Sequence, residues 1–295
     1  MGYIFLSFAL FAGALKGFCG KKTSGYTNSL QDAILANIIR TIVCAVIGLV
    51  LLVATGDLAA LRPNGMLLFA AALSGVATAT FVVTWLICVK KSAYMMLDIF
   101  LMLGVLIPLI ASSVFFHEPI KLTQWLGIAV LLGAVVIMCS YNNAVKTKIT
   151  PAAMILLLVC GVANGLADFS QKLFAKTMPE GSAAVFNFYT YIFAAVVLTV
   201  AFFLTHKADQ PVRKADIQKI FGFIVIMAVC LFANSFFKTL AAGYLSAVLL
   251  YPLNQGCSLI LSALMATALF KEKLTAKAVI GIATAFLALL MINLL

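Results

Sequence analysis

Charge is what this chain has least of. Only 10% of its 295 residues are Asp, Glu, Lys or Arg, where a water-soluble domain carries about 25%. With 64% hydrophobic residues and a mean hydropathy of +1.16, it is not a water-soluble fold. Histidine is nearly absent, with only His117 and His206. The seven cysteines form no C-x-x-C pair, and none sits at ligand spacing from a histidine. They read as small buried hydrophobes, so no metal site is expected. No G-x-x-x-x-G-K-[ST] loop is present to cradle a nucleotide, so ATP drive within this chain is not expected. Clustered acids for a metal–diphosphate site are missing, as are Ser/His and Cys/His sets. An intramembrane enzyme acting on a lipid or isoprenoid substrate is therefore the weaker alternative, and no cofactor is expected. No pore-lining ring suggests a channel. Period-two alternation is lacking, which excludes an outer-membrane barrel. The N-terminus lacks the basic region and cleavage site of a signal peptide, so the first apolar run is expected to stay as a helix.

Long apolar runs dominate what is there. A helical bilayer span needs about 20 mostly apolar residues. That ruler gives ten spans, near 2–19, 31–54, 65–89, 92–116, 121–140, 151–175, 182–206, 215–239, 243–270 and 275–294. The longest connection, roughly His206 to Ile217, is too short to be a domain. The net charge of +11 does not point to nucleic acid, because the basic residues are scattered through the connections. Alternate connections hold thirteen of them (Lys21, Lys22, Lys90, Lys91, Lys146, Lys148, Lys207, Arg213, Lys214, Lys219, Lys271, Lys273 and Lys277), and the other side holds only Arg62, Lys121 and Lys176. The richer side is expected to be cytoplasmic, with both termini extracytoplasmic, in what reads as a prokaryotic cytoplasmic membrane.

One pattern occurs twice, 154 residues apart: Phe116-His117-Glu118-Pro119-Ile120 and Phe270-Lys271-Glu272-Lys273-Leu274. Gly127 and Gly281 follow the two glutamates at equal distance, and Ser92-Ala93 matches Ser246-Ala247. A fixed offset held over some forty residues marks an internal duplication. The halves divide as residues 1–142 and 143–295, with five spans each. Five is odd, so the halves must cross the membrane in opposite senses. The expected fold is an all-α polytopic membrane protein, ten transmembrane helices in two inverted five-helix repeats. Such duplications usually place a transport site between the halves.

These residues resemble the drug/metabolite transporter superfamily, specifically its EamA-type ten-helix members. The resemblance rests on the F-x-E-x-[IL] step, the glycine nine residues after the glutamate, and Ser246-Ala247 followed by Tyr251-Pro252 in the ninth span. Asp98 departs from it, standing where the second half has Pro252. The resemblance implies a secondary transporter that moves a small polar metabolite by alternating access, with a cavity near the midplane. It does not name the solute. Monomer and homodimer both stay open.

Ionisable groups inside spans cost about 2.5–3.5 kcal/mol each on insertion scales, so each asks for a reason. Asp98 lies two turns into the fourth span, as a proton acceptor, a counter-ion to a substrate amine, or one half of a fixed ion pair. Arg40 is a carboxylate or phosphate clamp, that partner of Asp98, or a snorkelling cation. Lys16, Lys172 and Lys238 read as snorkelling cations near span ends. Amides at depth (Asn37, Asn164, Asn187, Asn234, Asn254 and Gln255) must hydrogen-bond another helix or a ligand, and together they suggest a polar cavity. Tyr94, Tyr244 and Tyr251, with Trp85 and Phe188, are candidate walls. Glu118 and Glu272 read as structural, at helix starts where a carboxylate caps free N–H groups. Gly104, Gly127, Gly133 and Gly281 read as close helix contacts.

Overall fold

The computed structural model describes residues 1–27, 29–91, 94–140, 151–205, 214–268 and 276–294. Within these, the side chains of Tyr94 and Asp98 lie outside the described residues, and so do all of Glu272 and the boundary at 142/143. Every element is helical: α1 (Gly2–Ser24), α2 (Leu30–Thr55), α3 (Gly65–Lys91), α4 (Tyr94–Gly104), α5 (Leu106–Phe116), α6 (Leu122–Ser140), α7 (Pro151–Thr177), α8 (Ala183–Thr205), α9 (Lys214–Lys219), α10 (Phe221–Tyr244), α11 (Ala247–Ala268) and α12 (Ala276–Leu294), with a short 3-10 turn at Asp57–Leu61. Among the described residues, six helices, α1 to α3, α7, α8 and α10, are long and apolar enough to cross a bilayer. Four shorter apolar stretches, Phe100–Phe116, Leu122–Ala134, Ala247–Leu261 and Val279–Ile292, account for the remaining expected spans.

Local chemistry sets the helix ends. At α2 the Ser29 hydroxyl accepts from the Asp32 amide, and the Asp32 carboxylate accepts from the Ser29 amide, both at 3.0 Å. That reciprocal cap satisfies two donors a helix start leaves free. Gly56, at φ 74°, closes the other end in the left-handed conformation. The fourth span is not one helix but two. Pro108 has no amide to offer the Gly104 carbonyl four residues back, and the chain turns at Val105 between α4 and α5.

The packing is inside-out by the standards of a soluble protein. Phe11, Val50, Phe203 and Leu204 face outward, while Arg40, Asn37, Asp168, Lys172 and Asn187 are buried. This suits a polytopic membrane protein, whose outer surface meets lipid. Helix pairings are unchanged when the two halves are exchanged: α1 packs on α10 as α7 packs on α3, and α11 on α1 as α4 and α5 on α7. The counterpart helices α2 and α8 pack on each other, and so do α6 and α12.

Glycines set the tightest of these contacts. A Cβ on Gly161 of α7 would run into the Phe100 carbonyl oxygen of α4, and one on Gly165 into the Gly104 carbonyl oxygen. A Cβ on Gly127 would stand 2.7 Å from Ile292 on α12. Gly281 is buried on α12. Gly133 differs from expectation: a Cβ there meets nothing within 4 Å, so it is no contact point.

Candidate polar cavity between the two halves

A recess opens among helices of both halves. From α1 comes Lys16, from α3 Phe81 and Trp85, and from α4 Leu101. The second half contributes Asn164 from α7, Asn234 and Lys238 from α10, and Asn254, Gln255 and Ser258 from α11. The Lys16 ammonium lies 5.3 Å from the Phe81 ring centre and 5.7 Å from that of Trp85, near enough for the ring faces to attract it. Trp85 is fixed in turn by Gly20, where any Cβ would collide with its indole.

Asp168, on α7, is a buried acid beside the recess that the sequence reading passed over. Its carboxylate accepts a short charge-assisted bond from Lys238 on α10, and Asn164 lies 3.5 Å from its other oxygen. Both partners of the pair are buried. The signal was visible: an acid in mid-span with lysine four residues on. That spacing suggests an Asp168–Lys172 pair along one helix. Both charges instead pair across helices.

Lys172 joins Glu118 at 2.9 Å and donates to the carbonyl oxygens of Ala242 and Leu245 at 3.1 and 2.7 Å. Those carbonyls end α10, where a cation is favoured. The other Glu118 oxygen accepts from the Ala247 amide at 2.8 Å, the first residue of α11. Glu118 therefore caps α11 across the structure, not the helix that follows it in sequence. His117, in the left-handed conformation at φ 51°, ends α5 just before it. The snorkelling expected of Lys16, Lys172 and Lys238 is overturned: buried acids, carbonyls and aromatic rings hold them inside the bundle.

Glu118 sits in the connection between α5 and α6. Burial pushes its carboxyl up, but the Ala247 amide and the Lys172 and Lys176 ammonium groups outweigh it, leaving the group below the usual 4.5. A carboxyl with a depressed folded value contributes stability above its unfolded value and loses it as pH falls through the folded one. Glu118→Gln is therefore expected to melt well below the parent at pH 7. The gap should narrow steadily below about pH 4.5. Melting curves of both proteins across pH 3 to 7 check this, and a gap that does not change with pH would remove the charge from the argument.

The other sequence candidates separate. Asn234 and the amides of α11 reach the recess; Asn234 also donates to the Ala9 carbonyl of α1 at 2.7 Å. Asn254 keeps a buried side-chain oxygen with no partner. Tyr251 is fully buried and donates to the Asp168 carbonyl at 2.7 Å, so it braces α7 and does not line the recess. Asn37 and Asn187 do occupy matching places, but as ties between helices. Each donates to the carbonyl four residues back and across to the next helix, Asn37 to Val82 of α3 and Asn187 to Thr239 of α10. Neither lines the main recess. Tyr244 is exposed.

Arg40 stands apart. It is 2% exposed, with Nε and Nη1 lacking any hydrogen-bond partner, and it lines a second, small recess with Asn37, Thr23, Thr27 and apolar side chains of α3 and α10. Among the described residues no group of three or more metal-ligating side chains occurs.

Residues 151–294 match the model of the EamA-like transporter family. No curated protein matches the sequence. A solved crystal structure superposes with a TM-score of 0.69, covering 98% of this chain and 97% of the other at 15% identity, a likeness that shows the fold alone.

Proposed function

With residues 151–294 making the chain a member of the EamA-like transporter family, whose members are membrane transporters of small solutes, we propose that it is a secondary carrier for a small polar metabolite. It works by alternating access, the two halves rocking about the recess between them in the cytoplasmic membrane of a prokaryote. The observation that carries this reading is the recess itself. Four amides, Ser258 and two lysines, one of them bonded to the buried Asp168, line one space inside the bundle. Desolvating so many polar groups is costly unless something polar occupies them in turn. The five-span halves, crossing in opposite senses, supply two equivalent rocking elements. The basic connections face the cytoplasm and both termini the other side.

A transmembrane proton gradient drives the exchange in this reading, and Asp98 on α4 is the acid proposed to carry the proton. Purified protein in liposomes tests both parts. The parent is expected to take up at least one solute of a metabolite library faster when a pH gradient is imposed. Asp98→Asn should keep the parent's melting temperature and lose that stimulation. Full gradient-driven uptake by Asp98→Asn would take coupling away from Asp98. A parent that moves no member of the library, gradient or not, would sink the carrier reading.

A further inference from the structure

The charge balance of the interior points to the sign of the solute. Sixteen of the twenty basic residues lie in the connections or within the first turns of a span, which leaves Lys16, Arg40, Lys172 and Lys238 deeper in the spans. Lys172 is answered by Glu118 and Lys238 by Asp168. Neither Lys16 nor Arg40 forms an ion pair with an acid among the described residues, the one acid near Lys16 being already bonded to Lys238. A guanidinium cannot shed its charge, and burying it without a counter-ion is costly. Lys16 is stacked on two rings whose faces favour the ammonium form, with Asn164, Asn254 and Gln255 on other walls of the same recess. Among the described residues around the recess, and with Asp98 protonated as the carrier reading has it when it holds its proton, Lys16 and Lys238 against Asp168 leave one positive charge over.

We propose, resting on the carrier reading above, that the solute is a small organic anion with a single carboxylate, its head docked on Lys16 and its apolar body against Trp85 and Phe81. Arg40 is the next station on its path. Thr23, which lines the Arg40 recess, is two turns beyond Lys16 on α1, about 10 Å along the axis toward the α1–α2 connection. A single surplus charge matches a carboxylate. A doubly charged phosphate ester would bring a net negative charge into a site of low dielectric, where uncompensated charge is expensive. A neutral or cationic head would leave Lys16 unanswered.

Four probes with one body and different heads test this: benzoate, phenyl phosphate, benzamide and benzylamine. The chain has two tryptophans, and Trp125→Phe leaves Trp85 as the only indole reporter in the recess. Benzoate is expected to change Trp85 emission saturably, and Lys16→Gln to weaken that response roughly tenfold or more, the loss of one charge-assisted bond. Uptake of benzoate into liposomes should fall similarly in Arg40→Gln and recover in part in Arg40→Lys. A benzamide or benzylamine response equal to that of benzoate, a preference for phenyl phosphate, an unchanged Lys16→Gln, or no saturable response at all would each overturn the proposal. Normal uptake by Arg40→Gln would remove the second station. Saturable benzoate binding, lost in Lys16→Gln, without uptake by the parent would keep the anion site and sink the carrier reading instead.

Discussion

Asp168→Asn is expected to be among the most destabilising single changes in this protein, and Lys238→Met placed on top of it should restore most of the loss. The carboxylate is buried against the Lys238 ammonium, and Asn164 lies 3.5 Å from its other oxygen. Removing one member of such a pair strands the other, at about 3–5 kcal/mol. Taking both away removes the stranded charge as well, and the cost is then only the packing mismatch. Melting temperature and monodispersity in detergent, measured for the parent, each single variant and the double variant, form a complete cycle. A single variant as stable as the parent would mean that the pair does not hold α7 to α10. Equal losses in the single and double variants would mean that Asp168 matters for something other than Lys238.

Gly161→Leu and Gly165→Leu are expected to prevent assembly of the bundle. At both positions a side chain would meet a backbone carbonyl of α4, at Phe100 or Gly104, and a carbonyl in a helix cannot turn aside as the end of a flexible side chain can. Overpacking where neighbours can adjust costs about 1–3 kcal/mol, and this contact cannot adjust without parting the helices. Gly133→Leu is the control, since open space surrounds that position. Recovery of monodisperse protein after expression measures the effect. If Gly161→Leu gave as much folded protein as Gly133→Leu, α4 and α7 would not be packed backbone to backbone.

Composition and periodicity by themselves determined a great deal here. Ten apolar stretches, the 154-residue offset and the basic asymmetry are one-dimensional facts, and bilayer thickness turns them into a bundle of spanning helices. The amides at Asn234, Asn254 and Gln255 were legible as candidates for a polar space, because no amide survives in lipid without a partner. What the sequence could not determine was which partner each polar group takes. Asp168 and Lys172, four residues apart, look like one pair and are two, because α10 and the α5–α6 connection come nearer to them than they do to each other. Glu118 looks like the cap of the helix it precedes and caps α11 instead. Lys16, Lys172 and Lys238 were read as reaching for lipid headgroups because their positions near span ends allowed it, yet tertiary neighbours hold them inside. Side-chain pairing inside a bundle is decided by which helix faces abut, and that depends on packing between segments far apart in the chain. A list of spans fixes how many helices there are, and only their assembly decides which of their polar groups are left over to meet a solute.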